Sequence, residues 1–222
     1  MVTCKLVGGL CNQLFQIAAT IGYARKHNMD YCIPMHASDH WPWYKINRVI
    51  YCMSDVRSMY IYNEPAMNYE QRPYDVRYQE IPYKPEIQLQ GHFQSEKYFE
   101  HCREEVLNLF ENVETYHGWV SIHVRRGDYL HMQGHLPVIT KDYLEKAIRK
   151  MVDWGFTQFK VFGDDFEWNK ENINDRVFPG LTFHHVRPMD PWNDLWQASH
   201  CVHSIGSNSS FSLWIYLLNQ HV

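Results

Sequence analysis

The chain has 222 residues, 45% of them hydrophobic and 21% charged, which is enough apolar material for one large domain or two small ones. A formal net charge of −4 excludes a global field that would draw in a polyanion such as nucleic acid, so any anion must be held locally. No apolar run reaches the roughly 18–20 residues that cross a bilayer, so no transmembrane segment is expected.

The opening "MVTCKLVGGL" lacks the basic start and long apolar core of a signal peptide. Six scattered cysteines without a CxxC pair read as reduced thiols, and a cytoplasmic location is expected. Fifteen Tyr, eight Trp and eleven Phe suit either an ordinary core or a sugar site, where apolar sugar faces pack on rings.

In chain order, "VTCKLV" (2–7) predicts a strand running into Gly8-Gly9. Residues 12–27 then place Leu14, Ile17, Ala18 and Ile21 at helical spacing, with Asn12 as the expected N-cap. "DYCIPM" (30–35) completes a strand–turn–helix–strand unit of the parallel α/β kind. The pattern degrades from His36 to Tyr83, which reads as variable excursions with one short helix. It returns with a strand at 86–91 and an amphipathic helix over 95–110 whose cap is Ser95.

A second series follows a seam near 110–118. "GWVSIHV" (118–124), "QFKVFG" (158–163), "LTFHHV" (181–186) and "VHSIG" (202–206) are strands. Between them lie helices over 140–155, capped by Thr140 and stopped by Gly155, over 164–173 and over 190–201, and a last helix follows "SNSS". Such alternation predicts a parallel sheet, and in open α/β sheets ligands bind beyond the carboxyl ends of the strands.

Three polar clusters fall at such ends. "GGLCNQLFQ" (8–16) joins a sharp turn to a helix N-terminus, which suits close approach to a ligand or is simply a tight turn. It is neither a P-loop nor a dinucleotide fingerprint. In "HVRRGDY" (123–129), His123 and Arg125 share one strand face and Arg126 the other. Either a structural ion pair with Asp128 or an external anion meets the guanidiniums, and two arginines and a histidine outnumber that one local acid. "GSNSSFS" (206–212) offers hydroxyls and backbone N–H groups that cap a helix or hold a phosphate. "VFGDD" (161–165) ends a further strand in two acids, which cap the next helix or accept from the N1–H and amino group of guanine. Fourteen histidines carry no HExxH or zinc-finger spacing, so no metal is expected.

Together these stretches resemble glycosyltransferase family 11, the α-1,2-fucosyltransferases. That family opens with Gly-Gly-Leu-Gly-Asn-Gln-Leu-Phe-Gln, centres on His-x-Arg-Arg-Gly-Asp-Tyr, and continues with Phe-Ser-Asp-Asp and a Cys-x-His-x-Ile strand followed by Asn-Ser-Thr-Phe-Ser. "GHFQSEKYF" (91–99) resembles its segment before the seam. Cys11 stands where the family has glycine; a need for positive φ there would strain a cysteine.

The resemblance implies a GT-B-like α/β fold of two Rossmann-like halves with parallel sheets facing a central cleft. Residues 1–115 would form the acceptor side and 116–222 the GDP-fucose side. The implied reaction is inverting transfer of L-fucose from GDP-fucose to the 2-hydroxyl of a terminal galactose in a glycan, without a metal or other cofactor. Arg125 would hold the β-phosphate and His123 would sit against the nucleoside. Asp164 or Asp165 would read guanine, and Ser207, Asn208, Ser209, Ser210 and Phe211 would wrap the pyrophosphate. Asn12 and Gln13 would face the acceptor, Asn12 also the departing phosphate. A general base is not evident; Asp128, Glu96 and Asp39 qualify on residue type alone. Another fucosyl linkage, or a non-catalytic descendant that keeps the nucleotide pocket, are the alternatives.

Overall fold

A computed structural model describes residues 1–34, 58–59, 67–71, 77–110, 116–132, 134 and 136–219. The chain divides into two compact units, Met1–Asn112 and Val113–Val222. It is an α/β protein, and among the described residues the paired strands all run parallel.

In the first unit the order is β1 (Val2–Cys4), α1 (Leu10–Lys26), β2 (Ile33–Pro34), β3 (Ser58–Met59), β4 (Asn68–Glu70), β5 (Ile87–Gln90) and α2 (Arg103–Leu107). β1, β5 and β4 form one sheet in that order, with Cys4 opposite Leu89, and β2 pairs with β3. Leu14, Ile17 and Ile21 recur at helical spacing along α1 and are buried. Arg25 and Lys26 end the helix where its dipole favours cations.

In the second unit, β6 (Tyr116–Val124), α3 (Lys141–Asp153), β7 (Gln158–Gly163), α4 (Phe166–Asn172), β8 (Thr182–His185), α5 (Pro191–Ser199), β9 (Cys201–Ile205) and α6 (Ser210–Leu218) follow in order. The sheet order is β8-β7-β6-β9. Ile122 stands opposite both Val161 and Ile205, so the three strands finish together and their following residues share one edge. Val120, Ile122 and Val124 enter a core with Leu144, Ile148, Phe159 and Ile173. Each such buried aliphatic side chain contributes about 1.5–3 kcal/mol. Period-2 alternation then sends His123 to the opposite face of the sheet.

The structure revises some sequence expectations. Strand β1 stops at Cys4 rather than Val7. Helix α1 starts at Leu10 with Gly9 as its N-cap, so Asn12 lies inside the first turn and not at the cap. Residues 95–110 form two 3₁₀ turns, Glu96–Tyr98 and Glu100–Cys102, before the short α2, and not one helix. The breaks fall at Phe99 and Cys102, whose φ values of −138° and −130° are non-helical. Phe99 is fully buried, so its core packing sets the backbone there. Ser95 does cap the first turn, accepting from the Lys97 N–H at 3.4 Å. Most of the expected excursion over 36–83, with its short helix, lies outside the described residues.

Candidate functional site

The second unit gathers its polar clusters at the carboxyl ends of β6, β7 and β9. Arg125 follows β6, and its guanidinium lies 2.7 Å from both Asp128 Oδ1 and Asp164 Oδ2 while remaining about one-third exposed. Asp164 Oδ1 accepts from the backbone N–H groups of Arg126 and Gly127 at 2.8 and 3.2 Å. That approach requires glycine, since a Cβ at Gly127 would lie 2.6 Å from Asp164 Oδ2. Arg126 Nε donates to Asp165 Oδ2 at 3.1 Å, and its guanidinium lies 4.0 Å from the Trp168 ring centroid. Asp165 Oδ1 accepts from the Trp168 N–H at 3.2 Å and so caps α4.

Both arginines are therefore met by carboxylates in this structure. Three acids face two guanidiniums, because the sheet brings Asp164 and Asp165 to Arg125 and Arg126. The local count, which set the arginines against Asp128 alone, is corrected by β6–β7 pairing. Arg125 meets its two carboxylates through separate Nη atoms, and a guanidinium that presents two such donors can also bind phosphate.

The loop from β9 to α6 closes over the other side of β6. Ser207 Oγ accepts from the Arg125 N–H and donates to the His123 carbonyl, each at 2.8 Å. Ser209 caps α6 by accepting from the Ser212 N–H at 3.3 Å, and Ser210 is the first residue of that helix. Asn208 is exposed, and its carbonyl lies 3.4 Å from the Tyr129 hydroxyl, which donates to it. Phe211 stacks on His123 with ring centroids 4.5 Å apart. His123 is buried, and burial, aided by the nearby Arg125 cation, pushes its pKa down to about 3. The imidazole is thus neutral near pH 7.

In the first unit the Gly8-Gly9 turn carries the remaining cluster. Gly8 has φ +78° and a Cβ there would meet Asn12 Nδ2 at 2.6 Å, so this turn needs glycine twice over. Gln13 Nε2 donates to the Gly8 carbonyl at 2.8 Å, and Asn12 Oδ1 accepts from Gln94 Nε2 at 2.8 Å. Gln16, absent from the sequence candidates, is fully buried and latches the turn. It accepts from the Val7 N–H at 3.0 Å and donates to the Val7 and Gly91 carbonyls at 3.2 and 2.9 Å. The signal was a glutamine on the apolar face of a helix. Cys11 lies within α1; among the described residues positive φ outside glycine occurs at Asn28 and Phe93, so the strain considered for Cys11 is not there.

Of the general-base candidates, Asp128 pairs with Arg125, Glu96 pairs with Arg103, and Asp39 lies outside the described residues. Among the described residues no three His, Cys, Asp or Glu side chains come together as a metal-ligand set. No helix among them is long and apolar enough to cross a membrane. A cavity of about 410 Å³ in the first unit is lined by Tyr23, Tyr78, Ile81 and Tyr98 among others, and none of the predicted site residues lines it.

Comparison with known proteins follows the same pattern. The family model of Glycosyl transferase family 11 matches residues 1–221. Galactoside alpha-(1,2)-fucosyltransferase 2 of Sus scrofa is 27% identical over 247 residues, covering 96% of this chain and 68% of that protein. Alpha-1,2-colitosyltransferase of Escherichia coli is 28% identical over 147 residues, covering 59% of this chain and 51% of its own length. Among solved structures, NodZ alpha-1,6-fucosyltransferase soaked with GDP-fucose superposes with a TM-score of 0.57 at 12% identity, covering 98% of this chain and 91% of that one. NodZ from Bradyrhizobium gives 0.59 at the same identity and coverage.

Proposed function

As the chain belongs to glycosyltransferase family 11, we propose that it transfers L-fucose from GDP-fucose to the 2-hydroxyl of a terminal galactose, inverting the anomeric carbon. The similarity to a galactoside α-(1,2)-fucosyltransferase supports the linkage, and the fold shared with a GDP-fucose-soaked fucosyltransferase supports the donor. The single observation that carries the reading is Arg125: a partly exposed guanidinium at the carboxyl end of the central parallel strand, held by two carboxylates that an incoming phosphate can replace.

In the proposed reaction the acceptor oxygen forms a bond to the anomeric carbon as the bond to the β-phosphate oxygen breaks. GDP leaves with that electron pair, and the acceptor proton passes to a base or to solvent. Negative charge builds on the β-phosphate, and Arg125 together with N–H groups of the 207–211 loop neutralises it without a metal. When Arg125 turns to phosphate it releases Asp164 Oδ2, which then accepts from guanine, while Asp165 keeps its cap on α4. His123 lies against the nucleoside. Asn12 and Gln13, in the first unit, face the acceptor. Cys4, Cys11, Cys102 and Cys201 are free thiols, three of them buried, which supports a cytosolic setting.

A second reading, transfer of a related deoxysugar, is favoured by the colitosyltransferase similarity. The test is incubation of the purified chain with GDP-fucose and a galactose-terminated disaccharide in EDTA, with the product linkage read by NMR. An α-1,2-fucosylated product is expected. Turnover only with another nucleotide sugar would select the second reading, and no transfer from any would overturn both.

A further inference from the structure

We propose that Ser212 is a positioning residue that holds His123 as its Nε2–H tautomer, so that this N–H donates to an acceptor oxygen of the bound nucleotide. The proposal deepens the GDP-sugar reading and rests on it.

Donors and lone pairs around one hydroxyl decide the tautomer. Ser212 Oγ lies 2.8 Å from His123 Nδ1. The same oxygen accepts from the Ser207 N–H at 2.9 Å and from the Ser209 hydroxyl at 3.4 Å. A hydroxyl oxygen has two lone pairs and one hydrogen. With one lone pair taken by the Ser207 N–H, Nδ1 at 2.8 Å is the nearest acceptor for the Ser212 hydrogen and receives it. An Nδ1–H would instead be a second donor to that oxygen and would leave the Ser212 hydrogen only Ser209 Oγ at 3.4 Å, a poorer contact.

Nδ1 as acceptor places the hydrogen of the neutral ring on Nε2. The ring plane is fixed by Phe211, stacked at 26° to it, and the ring is buried on the sheet face opposite the aliphatic core. Nε2 meets no hydrogen-bond partner among the described residues, although the residue is more than nine-tenths buried. That atom is not among the sealed, partnerless polar atoms of the described residues, so its hydrogen stays open to a ligand at the site. Arg125 lies two residues further on, so the oxygen that satisfies Nε2–H belongs to the same anionic ligand. Ser207 completes the device: its N–H fills one lone pair of Ser212 while its Oγ ties the Arg125 N–H to the His123 carbonyl.

The test uses the full chain with ¹⁵N-labelled histidine, read by two-bond ¹H–¹⁵N correlation, with the His123 signal assigned by its loss in His123→Gln. Wild type should show Nε2–H. Ser212→Ala should convert part or all of the signal to Nδ1–H and weaken GDP binding about tenfold by calorimetry, and Ser212→Thr should restore both. Should Ser212→Ala fail to fold, the comparison moves to His123. Glutamine places an amide N–H near the Nε2 position and asparagine near Nδ1, so His123→Gln should bind GDP more tightly than His123→Asn. An Nδ1–H tautomer in wild type would overturn the proposal. So would a Ser212→Ala chain with unchanged tautomer and affinity, or an asparagine variant that binds better than the glutamine one. A wild-type chain that binds no GDP while its tautomer still depends on Ser212 would overturn the functional reading and leave the Ser212–His123 assignment supported.

Discussion

At the scale of the residue, Arg125 and His123 take opposite electrostatic roles two positions apart. Arg125 is a guanidinium cation that Asp128 and Asp164 face, whereas His123 is neutral because it is buried beside that same cation. Arg125→Lys retains the charge but loses the fork, so fucosyl transfer should fall about 10²-fold or more with the fold intact, measured as kcat by GDP release. His123 predicts a pH effect on stability. Its pKa is about 3 in the folded chain against an ordinary 6.5, so between those values the unfolded chain binds more protons. Stability should therefore fall as pH is lowered from about 6.5 towards 3, by up to about 1.4 kcal/mol per pH unit from this residue. Urea unfolding across that range should show a shallower slope in His123→Gln. Both residues were legible from strand alternation in "HVRRGDY". Their partners were less so: Asp164 and Ser212 reach them only through strand pairing and loop return, across 39 and 89 positions of sequence.

At the scale of the element, the clearest case is the β1–α1 turn. Its Gly8-Gly9 and the following apolar spacing announced a strand-to-helix junction, and the structure has one. The element that fixes it was hidden, because Gln16 looked like a polar residue on a helix and works as a three-way backbone latch. Gln16→Ala would leave the Val7 N–H and the Val7 and Gly91 carbonyls without that partner. A loss of roughly 3 kcal/mol is expected, read as a lower urea midpoint at unchanged slope. The second unit was the more legible, since β7 was bounded correctly by a clean apolar–polar period and Thr140 capped α3 as expected. Over 95–110 the apolar spacing suggested one helix, and the packing of Phe99 overrode it. Periodicity reports which face is apolar; it does not report where a buried ring bends the backbone.

At the scale of the whole molecule, the chain is two α/β units, and the hydrogen bonds that shape the proposed donor side all lie in the second. GDP alone should therefore slow hydrogen exchange at residues 123–128, 163–165 and 206–212, and leave the amides of the Gly8–Gln13 turn unchanged until an acceptor is added. Protection confined to the first unit would invert the proposed division of labour. The central claim is that the strand-end guanidinium of Arg125 receives the pyrophosphate of a guanine nucleotide. The most direct measurement is calorimetric titration of GDP into the full chain with EDTA present, beside ADP and the Arg125→Ala chain. Micromolar, guanine-selective binding that survives EDTA and is lost in Arg125→Ala is the predicted result. Equal affinity for GDP in wild type and Arg125→Ala, or no binding to wild type, would contradict it.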